Sequence, residues 1–231
     1  MKEKKSNARK LIVDTLTEKA AIKQKVYQNT VETLNTFKEI LQETVNDLNT
    51  GIKISKNPIN LEYKDRGAFE AEIKIAGDLL IFNMHTNIFE FDKGHGVWKT
   101  PYVQNNVMAS YCGIINVYNF LADSFKYERM DDLGYLIARI FINKDKHYFV
   151  EGKRQLGFLY NDFANAIIER EHIKNIVDSA ILYSLDFDLL VPPYENVSIT
   201  SVAQMKEKIN KSKIQTGKRL GFKFYADGDT V

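Results

Sequence analysis

The sequence predicts an α+β fold: a long N-terminal helix, a central antiparallel β-sheet of about five to seven strands, then C-terminal helices and a final strand. Two observations predict it. Apolar residues recur every three or four positions in residues 8–50 and again after residue 162, whereas they alternate with polar residues in much of the stretch between. Because the strands cluster together and the helices lie at the two ends, a wound parallel sheet is not expected.

Composition places the chain among ordinary globular proteins. Of its 231 residues, 44% are hydrophobic and 27% are charged, so the chain has enough apolar side chain to build a core and is not a disordered polymer. The formal net charge of +2 is too small to indicate a nucleic-acid or membrane partner by itself. No apolar run approaches the roughly 18 residues of a membrane span, so no membrane partner is expected.

Cysteine content and the N-terminal residues indicate the compartment. Cys112 is the only cysteine, so no internal disulfide is possible, which is typical of a reducing compartment. The basic N-terminus is followed by only a short apolar run, Leu11–Val13, whereas a signal peptide needs about seven apolar residues or more. We therefore expect a cytoplasmic protein. Cys112 lies in an apolar stretch and is expected to be a buried, unreactive thiol.

The N-terminal helix is predicted from residues 8–50, which contain neither Gly nor Pro. At about 1.5 Å per residue it would be about 60 Å long. Gly51 is a helix-stop signal, so residues 1–51 form a helical segment. Two arrangements would bury the apolar face of so long a helix. Residues 10–50 pair with a second copy or another protein, or the helix packs lengthwise across its own sheet with one break near residues 23–25. The sequence favours neither arrangement.

The sheet is predicted to begin after residue 57, within an α+β domain covering residues 57–225. Strict alternation in Phe69–Ile75 predicts a strand whose charged face carries Glu70, Glu72 and Lys74. Two hairpins follow from turn residues, one at Gly77-Asp78 leading to a strand bent near Met84, and one at residues 143–145. The stretch from Val103 to Phe125 fits both helical and strand spacing, and we favour a strand over Met108–Phe120.

Helical spacing returns after the sheet. Asn161-Asp162 is an N-cap signal, which predicts a helix from Phe163 through Ile181. The elements beyond it are, in order, an extended turn at Pro192-Pro193, a short helix from Ser201 to about Lys211, a final strand from Gly217 to Tyr225, and a disordered tail at residues 226–231.

One motif points to an enzyme. Glu151-Gly152-Lys153 resembles the acidic-x-Lys pattern that metal-dependent nucleases of the restriction-endonuclease-like superfamily carry on a strand. The resemblance implies a Mg²⁺-dependent nuclease or phosphodiesterase, with Glu151 and an upstream acid, Asp131 or Asp132, as metal ligands. Lys153 would then stabilise charge near the attacked phosphate. The same pattern recurs at residues 72–74, where the charges are more simply the wet face of a strand, so the pattern discriminates little.

A second motif occurs twice. Residues 152–158 and 217–222 share a Gly-Lys-Arg, Leu-Gly-Phe pattern that differs by one inserted residue, and aromatic residues follow both copies. Basic and aromatic residues interleaved on strands can hold phosphates and stack bases. The candidate anion- or nucleic-acid-binding residues are therefore Lys153, Arg154, Lys218 and Arg219. The simpler interpretation is two amphipathic strands with cationic ends.

These observations favour a binding protein over an enzyme. The sequence has no Gly-x-Ser-x-Gly motif, no dinucleotide fingerprint and no closely spaced metal-ligand set, so we assign no catalytic residue, metal or cofactor. The leading hypothesis is a cytoplasmic binding or scaffold protein that self-associates through residues 10–50 and binds a partner through its sheet domain. The alternatives are the nuclease described above and a structural subunit of a larger assembly.

Overall fold

The structure is a computed structural model that describes residues 2–52, 59, 61–130, 132–186, 199, 201–203 and 206. Over these residues it has the predicted α+β architecture: a long N-terminal helix, a seven-stranded antiparallel sheet and later helices. The Pro192-Pro193 turn, the final strand at Gly217–Tyr225 and the tail at residues 226–231 lie outside the described residues. Most of the helix predicted from Ser201 also lies outside them.

The N-terminal helix runs from Lys2 to Ile52 with one irregularity. Helix α1 covers Lys2–Thr15, a π turn covers Leu16–Ala20, and α2 covers Ala21–Ile52. The irregularity therefore lies before residues 23–25, where the sequence suggested a break. A π turn accommodates an extra residue, so it changes the direction of the α1 side chains relative to those of α2.

The sheet is built entirely from antiparallel pairs, in the spatial order β1-β2-β3-β5-β6-β7. Its strands are β1 Glu62–Asp65, β2 Glu70–Ile75, β3 Asp78–Met84, β4 Phe89–Glu90, β5 Tyr111–Leu121, β6 Tyr135–Asn143 and β7 Tyr148–Gly152. β2–β3 and β6–β7 are the two predicted hairpins. β3 and β4 pair with successive parts of the same edge of β5, so they form one interrupted strand, in agreement with the bend predicted near Met84.

The stretch that fitted both spacings contains both structures. A 3₁₀ turn at Gly96–Lys99 precedes the stretch, and helix α3 at Pro101–Asn105 and a second 3₁₀ turn at Val107–Ser110 occupy its first part. The strand favoured for this stretch is β5, and the short helix α4, Ala122–Lys126, follows it. The strand prediction is therefore confirmed for most of Met108–Phe120, and helical turns form the two ends of the stretch.

One face of the sheet is covered by α2 and by α6, which spans Arg170–Leu185. The buried side chains of α2 lie between Val26 and Val45, and they pack on the inward-facing residues of the strands. This part of the helix therefore lies across the chain's own sheet, which was one of the two arrangements considered. The closest approach is at β5, where a Cβ added to Gly113 would lie 2.0 Å from Thr30 Oγ1.

The opposite face carries a second, smaller core near β5, β6 and β7. The helical turns of residues 96–110 fold over this part of the sheet. Aromatic rings dominate it: Phe141 and Phe149 are stacked with centroids 4.7 Å apart, and Phe91 and Phe163 pack against Phe149. Cys112 belongs to this core, and burial raises the pKa of its thiol well above the ordinary value.

The helix predicted to begin after Asn161-Asp162 begins later, at Arg170, and Glu169 caps it. The preceding residues lie along the outer edge of β7 instead. The amides of Tyr148 and Val150 donate to carbonyls of this segment at 3.1 and 3.0 Å, and His147 forms a β-bridge with Ile167. The prediction was wrong here because the backbone groups of an edge strand bind these residues more favourably than a helix start does.

Candidate functional site

Lys153 and Arg154, two of the four predicted anion-binding residues, lie together in a tight loop at the end of β7. We call residues 152–157 the GKRQLG loop. The Lys153 amide donates to the carbonyl of Ile137 at 3.0 Å, which anchors the loop to β6. Two further backbone hydrogen bonds, of 3.1 and 3.2 Å, close the loop on itself. Its middle is helix α5, a single turn at Gln155–Phe158.

Both glycines of the GKRQLG loop are required by close contacts. A Cβ on Gly152 would lie 2.7 Å from the Cβ of Leu156, and a Cβ on Gly157 would lie 2.2 Å from the Gly152 carbonyl oxygen. Such distances are well below van der Waals contact, so any larger residue would open the loop. The glycines of the motif therefore fix the position of the two cations.

Arg154 has a backbone conformation that side-chain-bearing residues rarely adopt, with φ 49° and ψ −124°. Such a conformation costs of the order of 1–3 kcal/mol for a residue other than glycine. Strained residues of this kind are concentrated at binding and catalytic sites, where the side chain has a role that glycine cannot fill.

The GKRQLG loop forms one wall of a cleft of about 180 Å³, and the last turns of α6 form the other. The cleft is lined by Lys153, Arg154, Gln155, Leu156, Ser179, Leu182, Tyr183 and Asp186. The Arg154 guanidinium lies 5.7 Å from the centroid of the Tyr183 ring, and its Nη1 lies 3.7 Å from Asp186 Oδ2. Two cations, an amide and an aromatic ring therefore surround a space that also contains one carboxylate.

The other two predicted residues, Lys218 and Arg219, lie outside the described residues. No family model, curated protein or solved structure matches this chain. The assignment of the candidate site therefore rests on the residues and the geometry of this chain.

Glu151, the first residue of the nuclease-like motif, is engaged by a cation. Arg139 is its neighbour on β6, and Arg139 Nε donates to Glu151 Oε2 at 3.0 Å. On the other side, His95 Nε2 lies 3.5 Å from Glu151 Oε1. His95 Nδ1 accepts a hydrogen bond from the Val97 amide, which holds the ring beside Glu151.

Asp132, the upstream acid of the nuclease hypothesis, has different neighbours. Ser124 Oγ donates to Asp132 Oδ2 at 2.7 Å, and Arg129 Nε lies 3.4 Å from the same oxygen. Asp132 and Glu151 therefore share no neighbour among these contacts. In the part of the chain that the structure describes, no group of three or more His, Cys, Asp or Glu side chains could hold a metal ion.

The N-terminal part of the long helix extends beyond the sheet domain. Every residue from Asn7 to Ala21 is exposed, and the first buried side chain among residues 7–52 is Val26. Its apolar side chains are each more than half exposed: Leu11, Ile12, Val13 and Leu16. We call residues 7–21 the N-terminal extension. No helix of the described residues is both long and apolar enough to span a bilayer.

The N-terminal extension ends where two lysines reach the sheet domain. Lys19 and Lys23 lie over the ring of Tyr111, 5.4 and 5.2 Å from its centroid. Hydrogen bonding to Tyr111 raises the pKa of Lys19 above its ordinary value. The Tyr111 hydroxyl in turn donates to Glu90 at 3.4 Å. These contacts fix the direction in which the extension leaves the domain.

Sequence reasoning missed the α6 side of the cleft. Tyr183 and Asp186 are about thirty positions from Lys153, and nothing in their local pattern connects them with the GKRQLG loop. The exposed apolar cluster at residues 11–16, in contrast, is visible in the sequence. Leu11–Val13 is an apolar run in an otherwise polar segment, and it lies within residues 10–50, for which the sequence predicts pairing with a partner.

Proposed function

We propose that the protein is a cytoplasmic binding or scaffold protein that self-associates through its N-terminal extension and binds a ligand through its sheet domain. The observation that carries the proposal is the exposure of Leu11, Ile12, Val13 and Leu16 on a helix that leaves the domain. A lone helix of this length, with several β-branched residues and threonines, is marginal in water. A partner that covers its apolar side chains would stabilise it.

Charge along the helix favours a second copy of this chain as that partner. Residues 1–25 contain eight Lys or Arg and three Asp or Glu, whereas residues 26–52 contain one Lys and four Asp or Glu. The acids of the second segment are exposed on α2, at Glu32, Glu39, Glu43 and Asp47. Within the chain, Glu32 pairs with Lys146, and both Glu39 and Glu43 pair with Arg170. In an antiparallel pair of helices, the basic part of one copy lies beside the acidic part of the other.

The buried side chains of α2 limit where this pairing takes place. Residues between Val26 and Val45 already pack on the sheet through one face of the helix. Of the segment at residues 10–50, the N-terminal extension supplies the apolar contacts. The acids on the outer face of α2 would share their cationic partners within the chain, Lys146 and Arg170, with the basic residues of the second copy.

The test is the molar mass of the full chain in solution, measured by light scattering during size-exclusion chromatography. We expect a dimer or higher oligomer for the natural sequence. Replacing Leu11, Ile12, Val13 and Leu16 together with Gln should give a 26.6 kDa monomer with unchanged thermal stability of the sheet domain. Met130→Gln, which alters an exposed apolar residue elsewhere, is the matched control. A monomeric natural sequence would refute self-association and favour a subunit that docks on a different protein.

A further inference from the structure

We propose that the GKRQLG loop and the adjoining cleft form a binding site for a small phosphate-bearing ligand. This inference names the ligand class for the sheet domain and rests, for its biological context, on the binding role proposed above. Lys153, Arg154 and Gln155 line the cleft, so two cationic side chains and one amide side chain border the same small space. Cations and amide donors that converge on one small space are the groups that bind oxyanions in proteins.

The backbone geometry of the GKRQLG loop supports a binding role for its two cations. An exposed loop needs no arginine at φ 49°, since glycine adopts that conformation without strain. The close contacts of Gly152 and Gly157 also hold the loop in one shape, so the guanidinium is directed towards the cleft wall formed by Tyr183. Positive φ also occurs at Ala76, Glu128 and Lys146, so the strain at Arg154 supports the proposal together with the cleft and the two cations and does not carry it alone.

The contact between Arg154 and Asp186 is long and weak. Their closest atoms are 3.7 Å apart, whereas charge-assisted hydrogen bonds are about 2.7–2.9 Å long. Both side chains are also more than half exposed, so their attraction is weak in water. A phosphate group, with two negative charges and several acceptors, competes effectively with such a carboxylate for the guanidinium.

Size favours a small ligand over a nucleic acid. The cleft volume of about 180 Å³ accommodates a phosphate group with a few attached atoms. Single-stranded nucleic acids need an extended basic groove with several stacking aromatics, about one for each bound base. The described lining contains a single aromatic ring, that of Tyr183.

The experiment is a titration of the full chain with inorganic phosphate, monitored by isothermal titration calorimetry and by the ³¹P chemical shift. We expect saturable binding that weakens as the ionic strength rises. Lys153→Gln and Arg154→Gly should each weaken binding by about tenfold or more. Arg154→Gly should nevertheless melt at or above the temperature of the natural protein, because glycine relieves the backbone strain.

Lys174→Gln is the matched control, since it removes a charge from the exposed surface of α6 outside the cleft and should leave phosphate binding unchanged. Absence of saturable phosphate binding, or equal binding by Arg154→Gly, would overturn the inference. So would binding of a single-stranded oligonucleotide without binding of phosphate. The oligomeric state of each variant, measured in parallel, should remain that of the natural protein, so failure of this inference is distinguishable from failure of self-association.

Discussion

The contact between Gly113 of β5 and Thr30 of α2 makes the packing of the long helix testable. In Gly113→Ala the new Cβ would lie 2.0 Å from Thr30 Oγ1, 2.8 Å from its Cβ and 2.9 Å from its Cγ2. Ordinary contacts begin near 3.4 Å, so the helix and the strand must separate by about 1 Å or more at this point. A change of the Thr30 rotamer relieves only part of the overlap, because the Thr30 Cβ is itself too close.

Both sides of this contact resist movement. Thr30 Oγ1 is held by a 2.7 Å hydrogen bond to the Val26 carbonyl, and β5 lies between β3 and β6 in the sheet. Overpacking of a core costs about 1–3 kcal/mol, and a rigid site lies at the upper end of that range. We therefore expect Gly113→Ala to lower the free energy of unfolding by about 3 kcal/mol. For a chain of this size the melting temperature should fall by roughly 6–12 °C.

The assay is urea and thermal unfolding followed by circular dichroism. Gly51→Ala is the matched control, since it makes the same substitution in α2 at a glycine with nothing within 4 Å, and it should be neutral or stabilising. Thr30→Ala removes two of the three contacting atoms, so the double variant should recover at least about 1 kcal/mol relative to additivity. A Gly113→Ala protein as stable as the natural one, or strictly additive effects, would show that α2 does not pack on β5 as described.

Two further predictions concern Asp65 and Cys112. The hydrogen bond from Lys38 Nζ at 2.7 Å, together with the Gly67 amide, lowers the pKa of Asp65 below its ordinary value. A carboxyl whose pKa is lowered on folding stabilises the protein above its unfolded pKa, and this contribution disappears as the pH falls through the folded pKa. The stability difference between the natural protein and Asp65→Asn should therefore shrink as the pH falls below about 4, and a constant difference in melts from pH 7 to pH 2 would contradict this. Because burial raises the pKa of Cys112, its thiol should react with a disulfide reagent only in denaturant, and fast reaction of the folded protein would show that the aromatic core is open.

Sequence patterns predict the elements that have a sustained hydrophobic periodicity. They fail where a contact with residues distant in the sequence determines the structure. The long helix and the β6–β7 hairpin have sustained patterns, and both are confirmed. The start of α6 was wrong because the edge of β7, a long-range partner, binds the residues after Asn161. Glu72 was expected on a wet face but is buried, because Arg66 and Lys64 from the neighbouring β1 segment cover it.

The candidate site likewise combines local features, which the sequence shows, with long-range contacts, which it does not. The sequence shows that Lys153 and Arg154 are adjacent and flanked by glycines, but it predicted a strand with a cationic end there, whereas both residues lie in a tight loop after β7. The cleft is not visible, because its second wall comes from α6 and depends on how that helix crosses the sheet. The strain at Arg154 is also invisible to sequence patterns, since nothing in the motif specifies a positive φ.

The two margins of the sheet differ in a way that affects how copies of the protein can join. At β7 the ladder is already completed by the segment after residue 160, whose carbonyls accept the outward amides of the strand. At β1 the outermost described strand is only four residues long and carries Glu62, Lys64 and Asp65. Short, charged or covered margins discourage the endless strand-by-strand growth that leads to fibrils. Assembly of this protein should therefore stop at a defined number of chains.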